Sequence, residues 1–142
     1  MTTGNNKMIK LYLDIDGVLL TNKQTLPADN CDEFLEYIVA RFDCYWLTTR
    51  CKGDVHSTIE SLSGFFDSHS IENLKKIQPT SWNMLKTEAI DISEDFYWLD
   101  DAPLQAEIDY LKKNGVLNRL FIVDLERKDE LLNIVSDQLA LH

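Results

Sequence analysis

Met8-Ile9-Lys10-Leu11-Tyr12-Leu13-Asp14-Ile15-Asp16-Gly17-Val18 runs an apolar segment into two aspartates set one residue apart, followed at once by a glycine. In a strand, residues two apart point to the same side, but Gly17 lets the backbone swing away directly afterwards. Asp14 is then expected at the tip of a buried strand and Asp16 in the loop beyond it. Like charges that close resist joint ionisation unless a cation or a shared proton relieves them. The arrangement points to a metal site, an acid/base pair, or both.

Working outward, three further apolar runs alternate with helical patterns: Cys44 to Leu47, Phe96 to Leu99 and Leu120 to Val123. Asn30 and Glu33 have the spacing of a capping box, and Phe34, Leu35, Ile38, Val39 and Phe42 form one helical stripe. Asp54, after Gly53, is placed to cap a helix through Leu62. Residues 63–80 are the least legible; a short strand near Phe65-Phe66 and a helix over Ile71 to Ile77 both fit. Ser81 reads as the N-cap of a helix to about Ile90. Pro103 suits a helix's first turn and Gly115 its stop, with Leu104, Ile108 and Leu111 facing inward. A last helix carries Leu131, Leu132, Val135 and Leu139. Such alternation around continuously apolar strands predicts an α/β fold, a three-layer α/β/α Rossmann-like domain with a mainly parallel sheet. Asp14, Thr48 and Asp100 all fall at the carboxyl ends of strands, where open α/β sheets form their binding crevice. The 142 residues fit one domain, with polar residues 1–7 expected to form a flexible tail.

Asp14-Ile15-Asp16-Gly17-Val18 resembles the DxDx(V/T) signature of the haloacid dehalogenase (HAD) superfamily of phosphohydrolases. Cys44-Tyr45-Trp46-Leu47-Thr48-Thr49-Arg50 is similar to that family's second motif, a strand closed by Thr or Ser. Lys86 stands in the region of the third motif, and Phe96-Tyr97-Trp98-Leu99-Asp100-Asp101 resembles the fourth, a strand ending in paired acids. The four occur in order from Asp14 to Asp101.

The resemblance implies a Mg²⁺-dependent phosphatase working through an aspartyl-phosphate. Asp14 would be the nucleophile, and Asp16 the group that protonates the leaving oxygen and then deprotonates the attacking water. Thr48, with Thr49 as second choice, would hydrogen-bond a phosphate oxygen. Lys86 would neutralise nucleophile and phosphoryl group. Asp14 and Asp100 would ligate Mg²⁺, Asp16 would add its backbone carbonyl, and Asp101 would hold a metal-bound water or serve as a further ligand. Simpler structural roles stand beside these: turn residues for Asp14 and Asp16, a helix cap for Asp101, a strand end for Thr48, a solvated helix lysine for Lys86. Two other functions use the same residues: a catalytically idle binding or regulatory module, and phosphotransfer to an acceptor other than water.

Only about thirty residues separate Asp16 from Thr48, and the interval from Thr48 to Lys86 is similarly short, so no sizeable cap domain fits. The chain thus resembles the capless type of the HAD superfamily, which implies a macromolecular phosphoester or a lid from another subunit, with the flap of residues 18–25, including Lys23 and Gln24, as the local specificity element. A net charge of -10 and a pI of about 4.6 argue against general nucleic-acid binding. No apolar run approaches the ~18 residues of a membrane span, and the polar opening lacks a signal core. Cys31, Cys44 and Cys51 have no CxxC spacing, so free thiols in the cytoplasm are expected. Cys44 and Arg50 match the C-x5-R spacing of cysteine-dependent phosphatases, but Cys44 would lie inside a strand, away from any phosphate. His56, His69 and His142 show no ligand spacing, and Trp46, Trp82 and Trp98 read as packing.

Overall fold

The computed structural model describes residues 8–50 and 54–141; the expected tail over residues 1–7, together with Cys51 and Gly53, lies outside the described residues. Four parallel strands, β1 (Lys10–Leu13), β2 (Asp43–Trp46), β3 (Phe96–Asp100) and β4 (Leu120–Ile122), lie in the order β2-β1-β3-β4. Lys10 is in register with both Asp43 and Phe96, and Trp98 with Leu120. The helices are α1 (Cys31–Arg41), α2 (Val55–Leu62), α3 (Ser68–Leu74), α4 (Gln105–Lys113) and α5 (Glu130–Asp137). The expectation of an α/β, Rossmann-like domain with a mainly parallel sheet is met, every strand pairing among the described residues being parallel, and the intervals from Asp16 to Thr48 and from Thr48 to Lys86 hold no cap among the described residues.

Alternating strand residues feed two cores. Leu11, Leu13, Tyr97 and Leu99 pack with Phe34, Leu35 and Ile38 of α1, Leu62 of α2, Leu74 of α3 and Leu131 of α5. Tyr12, Phe96 and Trp98 point the other way, against Leu111 of α4, Leu47 and Ile90. Right-handed crossovers account for this division: β1-α1-β2 and β3-α4-β4 step in opposite directions from the sheet centre, so α1 and α4 cover opposite faces. Chain order reverses between β1 and β3, which makes the crevice above their carboxyl ends the expected ligand site of such a sheet.

The helix ends show where local signals held and where they failed. Asp54 caps α2, its Oδ1 accepting from the Ser57 N–H at 3.1 Å. In the illegible stretch, Asp67 caps α3 through the Ser70 N–H at 2.8 Å; the helix begins earlier than Ile71, and Phe65-Phe66 is a turn rather than a strand. The Asn30–Glu33 capping box is absent: Asn30 adopts a left-handed backbone, and its side-chain amide donates to Asp129 instead. Ser81 starts no helix. Glu88 accepts from the backbone N–H groups of Asn83, Met84 and Leu85 at 2.9–3.0 Å, which fixes them in an open loop and leaves only a 3₁₀ turn, Lys86–Ala89. Leu104 precedes α4 and is 55% exposed rather than inward, while Leu111 is fully buried as expected. In α5, Leu131 and Ile134 carry the buried face, with Leu132 and Val135 half-buried. None of the helices among the described residues is long and apolar enough to cross a membrane.

Candidate active site

Asp14 directly follows β1, where its N–H still bonds the Leu99 carbonyl at 3.1 Å, and its Oδ1 accepts from the Ile15 N–H at 2.7 Å. Beyond it the chain turns sharply: the Ile15 carbonyl accepts from the N–H groups of Val18, Leu19 and Leu20. Gly17 makes that turn with φ +83°, and a Cβ there would collide with the Asp101 carboxylate. Glycine is therefore required twice, for the left-handed backbone and for the close approach of Asp101. The flap that follows is a small hairpin, closed by Leu20 pairing with Pro27 and by the Thr21 N–H donating to the Leu26 carbonyl at 2.7 Å.

Asp100 ends β3 beside Asp14, across the point where chain order reverses. One carboxylate oxygen from each of Asp14, Asp100 and Asp101 lies within 4.8 Å of the others. Magnesium takes carboxylate oxygens at about 2.1 Å, so these three would have to draw inward to hold a divalent cation, which their all-oxygen donor set suits. Asp101 caps no helix; its Oδ2 accepts from the Asn22 amide of the flap at 2.7 Å. The Asp16 carboxylate is not part of the triad but faces Arg50, with Nη2 at 2.7 Å from Oδ1 and Nε at 3.2 Å from Oδ2.

Lys86 is no solvated helix lysine. It is buried at the start of the 3₁₀ turn, its ammonium 3.0 Å from Asp14 Oδ2 and 2.6 Å from Asp100 Oδ2. Its backbone N–H donates to Glu107 Oε2 at 2.6 Å, while Glu107 Oε1 takes the Leu104 N–H at 2.7 Å. A single buried carboxylate thus ties the lysine's position to the first turn of α4. Thr48 is buried just past β2, and its hydroxyl accepts from the Arg50 N–H at 3.1 Å, whereas Thr49 is exposed.

Burial pushes the Asp14 carboxyl up to about 6, repulsion from Asp100 adds to this, and Lys86 opposes it. For Lys86 burial is the largest influence and pulls downward, yet Asp14 and Asp100 together outweigh it and raise the ammonium above its ordinary value. Two buried acids share one cation, which leaves negative charge for a further cation to neutralise. Cys44, by contrast, is buried within β2, its thiol pushed up to about 12 chiefly by burial, which disqualifies it as a nucleophile.

Sequence reasoning missed Arg50, Asn22 and Glu107. Arg50 follows the two threonines directly, and Glu107 lies at the capping-box distance from Leu104; for Asn22 no local signal existed. Asp124, which ends the apolar run of β4, accepts from the Glu126 N–H at 3.0 Å and so orders its own loop. Comparison with protein-family models, curated proteins and solved structures returns no match.

Proposed function

We propose that this chain is a Mg²⁺-dependent phosphatase of the HAD type, hydrolysing a phosphomonoester through an aspartyl-phosphate. The observation that carries this reading is the convergence of Asp14, Asp100 and Asp101 around one point, with the Lys86 ammonium bonded to the first two. Asp14, Asp100 and Asp101 would hold the cation, joined by the Asp16 backbone carbonyl. When bound, Mg²⁺ neutralises charge on the phosphoryl oxygens and orients them.

The chain's own groups supply the rest. Asp14 attacks phosphorus while the bond to the alcohol oxygen breaks, and Asp16 gives that oxygen a proton. Asp16 then takes a proton from water as it attacks the aspartyl-phosphate, returning Asp14 and releasing phosphate. Arg50 holds both oxygens of Asp16 in the free protein, so Asp16 must leave Arg50 to carry the proton that it gives; Lys86 offsets charge on Asp14, and the Thr48 hydroxyl would bond a phosphate oxygen. Buried free Cys31 and Cys44 support a reducing, cytoplasmic setting.

Phosphate release from an aryl phosphate with Mg²⁺ tests this reading. Wild type should turn over and Asp14→Asn should not; equal activity in the two would refute the mechanism. Mg²⁺ binding without turnover of any phosphoester would favour the binding-module alternative. Transfer to added alcohols would favour the phosphotransferase.

A further inference from the structure

Two cations bond the acids of the site, and they are held in different ways. Lys86 is committed: its pairs with Asp14 and Asp100 leave each of the three side chains at most 11% exposed. Arg50 is not. Its pair with Asp16 lies open, with the two side chains 27% and 41% exposed, and an ion pair that open holds weakly. The guanidinium is fixed at its root instead. The Leu47 N–H donates to the Leu13 carbonyl at 2.7 Å, so Asp14 and Thr48 leave adjacent strands side by side. Two residues on, the Arg50 N–H donates to the Thr48 hydroxyl at 3.1 Å, which anchors the long side chain beside the point where the phosphoryl group would lie.

Arg50 meets Asp16 with its fork, Nη2 to Oδ1 at 2.7 Å and Nε to Oδ2 at 3.2 Å. That two-pronged geometry fits a pair of phosphoryl oxygens as well as it fits a carboxylate. A phosphomonoester carries about −1.5 to −2 charges at pH 7 against one on a carboxylate, which makes it the stronger partner for a guanidinium. While both oxygens of Asp16 accept from Arg50, that carboxylate is set to receive hydrogen bonds and not to give a proton.

We infer that the phosphoryl group of the substrate takes Arg50 from Asp16. The guanidinium turns its fork from the carboxylate to two phosphoryl oxygens, and no covalent bond changes in that exchange. Asp16 is thereby released toward the leaving oxygen only when substrate is in place, and the proton it then gives comes from solvent. The inference rests on the phosphatase reading and makes Arg50 a phosphoryl-binding residue that also latches the acid in the empty site. A guanidinium that stayed on Asp16 throughout would orient the acid and touch no phosphate, and the two roles differ in what they do to binding.

Inorganic phosphate is the probe, followed in Mg²⁺ as a competitive inhibitor of aryl phosphate turnover and, by calorimetry, as a ligand. Arg50→Gln should weaken phosphate binding about tenfold or more, the scale of losing a charged hydrogen bond, and should raise KM by a larger factor than it lowers kcat. Arg50→Lys, which keeps the charge but not the fork, should recover part of the loss. Asp16→Asn removes the competing carboxylate, so it should tighten phosphate binding more beside Arg50 than in the Arg50→Gln background. Unchanged phosphate affinity in Arg50→Gln, or a fall in kcat with KM unmoved, would overturn the inference while leaving a phosphatase dependent on Asp14 intact. Should Arg50→Gln not fold, an affinity in Arg50→Lys equal to wild type overturns it likewise, as does a wild type that phosphate neither inhibits nor binds. Turnover that persists in Asp14→Asn would remove the phosphatase reading instead, and calorimetry of phosphate on the Arg50 variants would still decide the exchange.

Discussion

The Lys86 ammonium lies 3.0 Å from Asp14 Oδ2 and 2.6 Å from Asp100 Oδ2, a buried cation held between two buried carboxylates that come from adjacent strands. Removing one partner of a buried ion pair leaves the other charge uncompensated, at a cost of about 3–5 kcal/mol. Lys86→Met should therefore lower stability by about that amount and abolish activity. Chemical denaturation with and without Mg²⁺ checks this, and the loss should shrink when the cation is present. A stability equal to wild type would mean that the ammonium does not compensate the acids.

Asp14 makes folding depend on pH in a definite direction. Its folded value of about 6 exceeds the ordinary 3.8, so between those two values the native state binds more protons than the unfolded chain. Its contribution to stability therefore falls as pH rises from about 4 to about 6, by at most about 3 kcal/mol, and stays low above that. Asp14→Asn should match wild type below pH 4 and be the more stable protein above pH 6 without metal. Added Mg²⁺ should close the gap at pH 7, since it binds the ionised wild type. Melting temperatures of both proteins across this range give the comparison; a gap that narrows as pH rises would contradict it.

Gly17→Ala should be far more damaging than an ordinary glycine substitution. The positive φ alone disfavours alanine by about 1 kcal/mol, and the added methyl group would displace the Asp101 carboxylate. Weaker Mg²⁺ binding together with a lower melting temperature is expected. By contrast Gly115→Ala, where a Cβ meets nothing within 4 Å, should lose stability only and leave metal binding unchanged.

Glu107 is expected to act through Lys86. Its carboxylate holds the Lys86 and Leu104 N–H groups at 2.6 and 2.7 Å while almost wholly buried. Glu107→Ala leaves both donors without that partner and should cost about 2–3 kcal/mol. It should also lower kcat by misplacing the ammonium. Glu107→Gln, which keeps an acceptor, should recover part of both. Identical behaviour of the two variants would argue against a positioning role.

The fold was legible because the strands announced themselves. Leu11, Leu13, Phe96 and Trp98 are buried on one face or the other, and runs of that kind have few alternatives to a covered parallel sheet. Asp14 and Asp100 could be placed from the strand ends, Asp101 followed from the family resemblance, and the three do converge. What escaped was decided mostly by partners distant in sequence. Asp129, 99 residues away, takes the Asn30 side chain from its capping role, and Arg50 captures Asp16 across 34 residues; both are tertiary contacts overriding a local propensity, which a reading of neighbours along the chain does not register. The exception is local: Glu88 gathers the backbone donors of Asn83, Met84 and Leu85 and suppresses the helix that Ser81 suggests.

The central claim is that Asp14, Asp100 and Asp101 share one divalent ion, and titration of the metal-free protein with Mn²⁺, followed by electron paramagnetic resonance, tests it most directly. One ion should bind per chain at neutral pH, be displaced by excess Mg²⁺, and bind at least ten times more weakly in Asp100→Asn. Binding to the folded Asp100→Asn protein as tight as to wild type would contradict it.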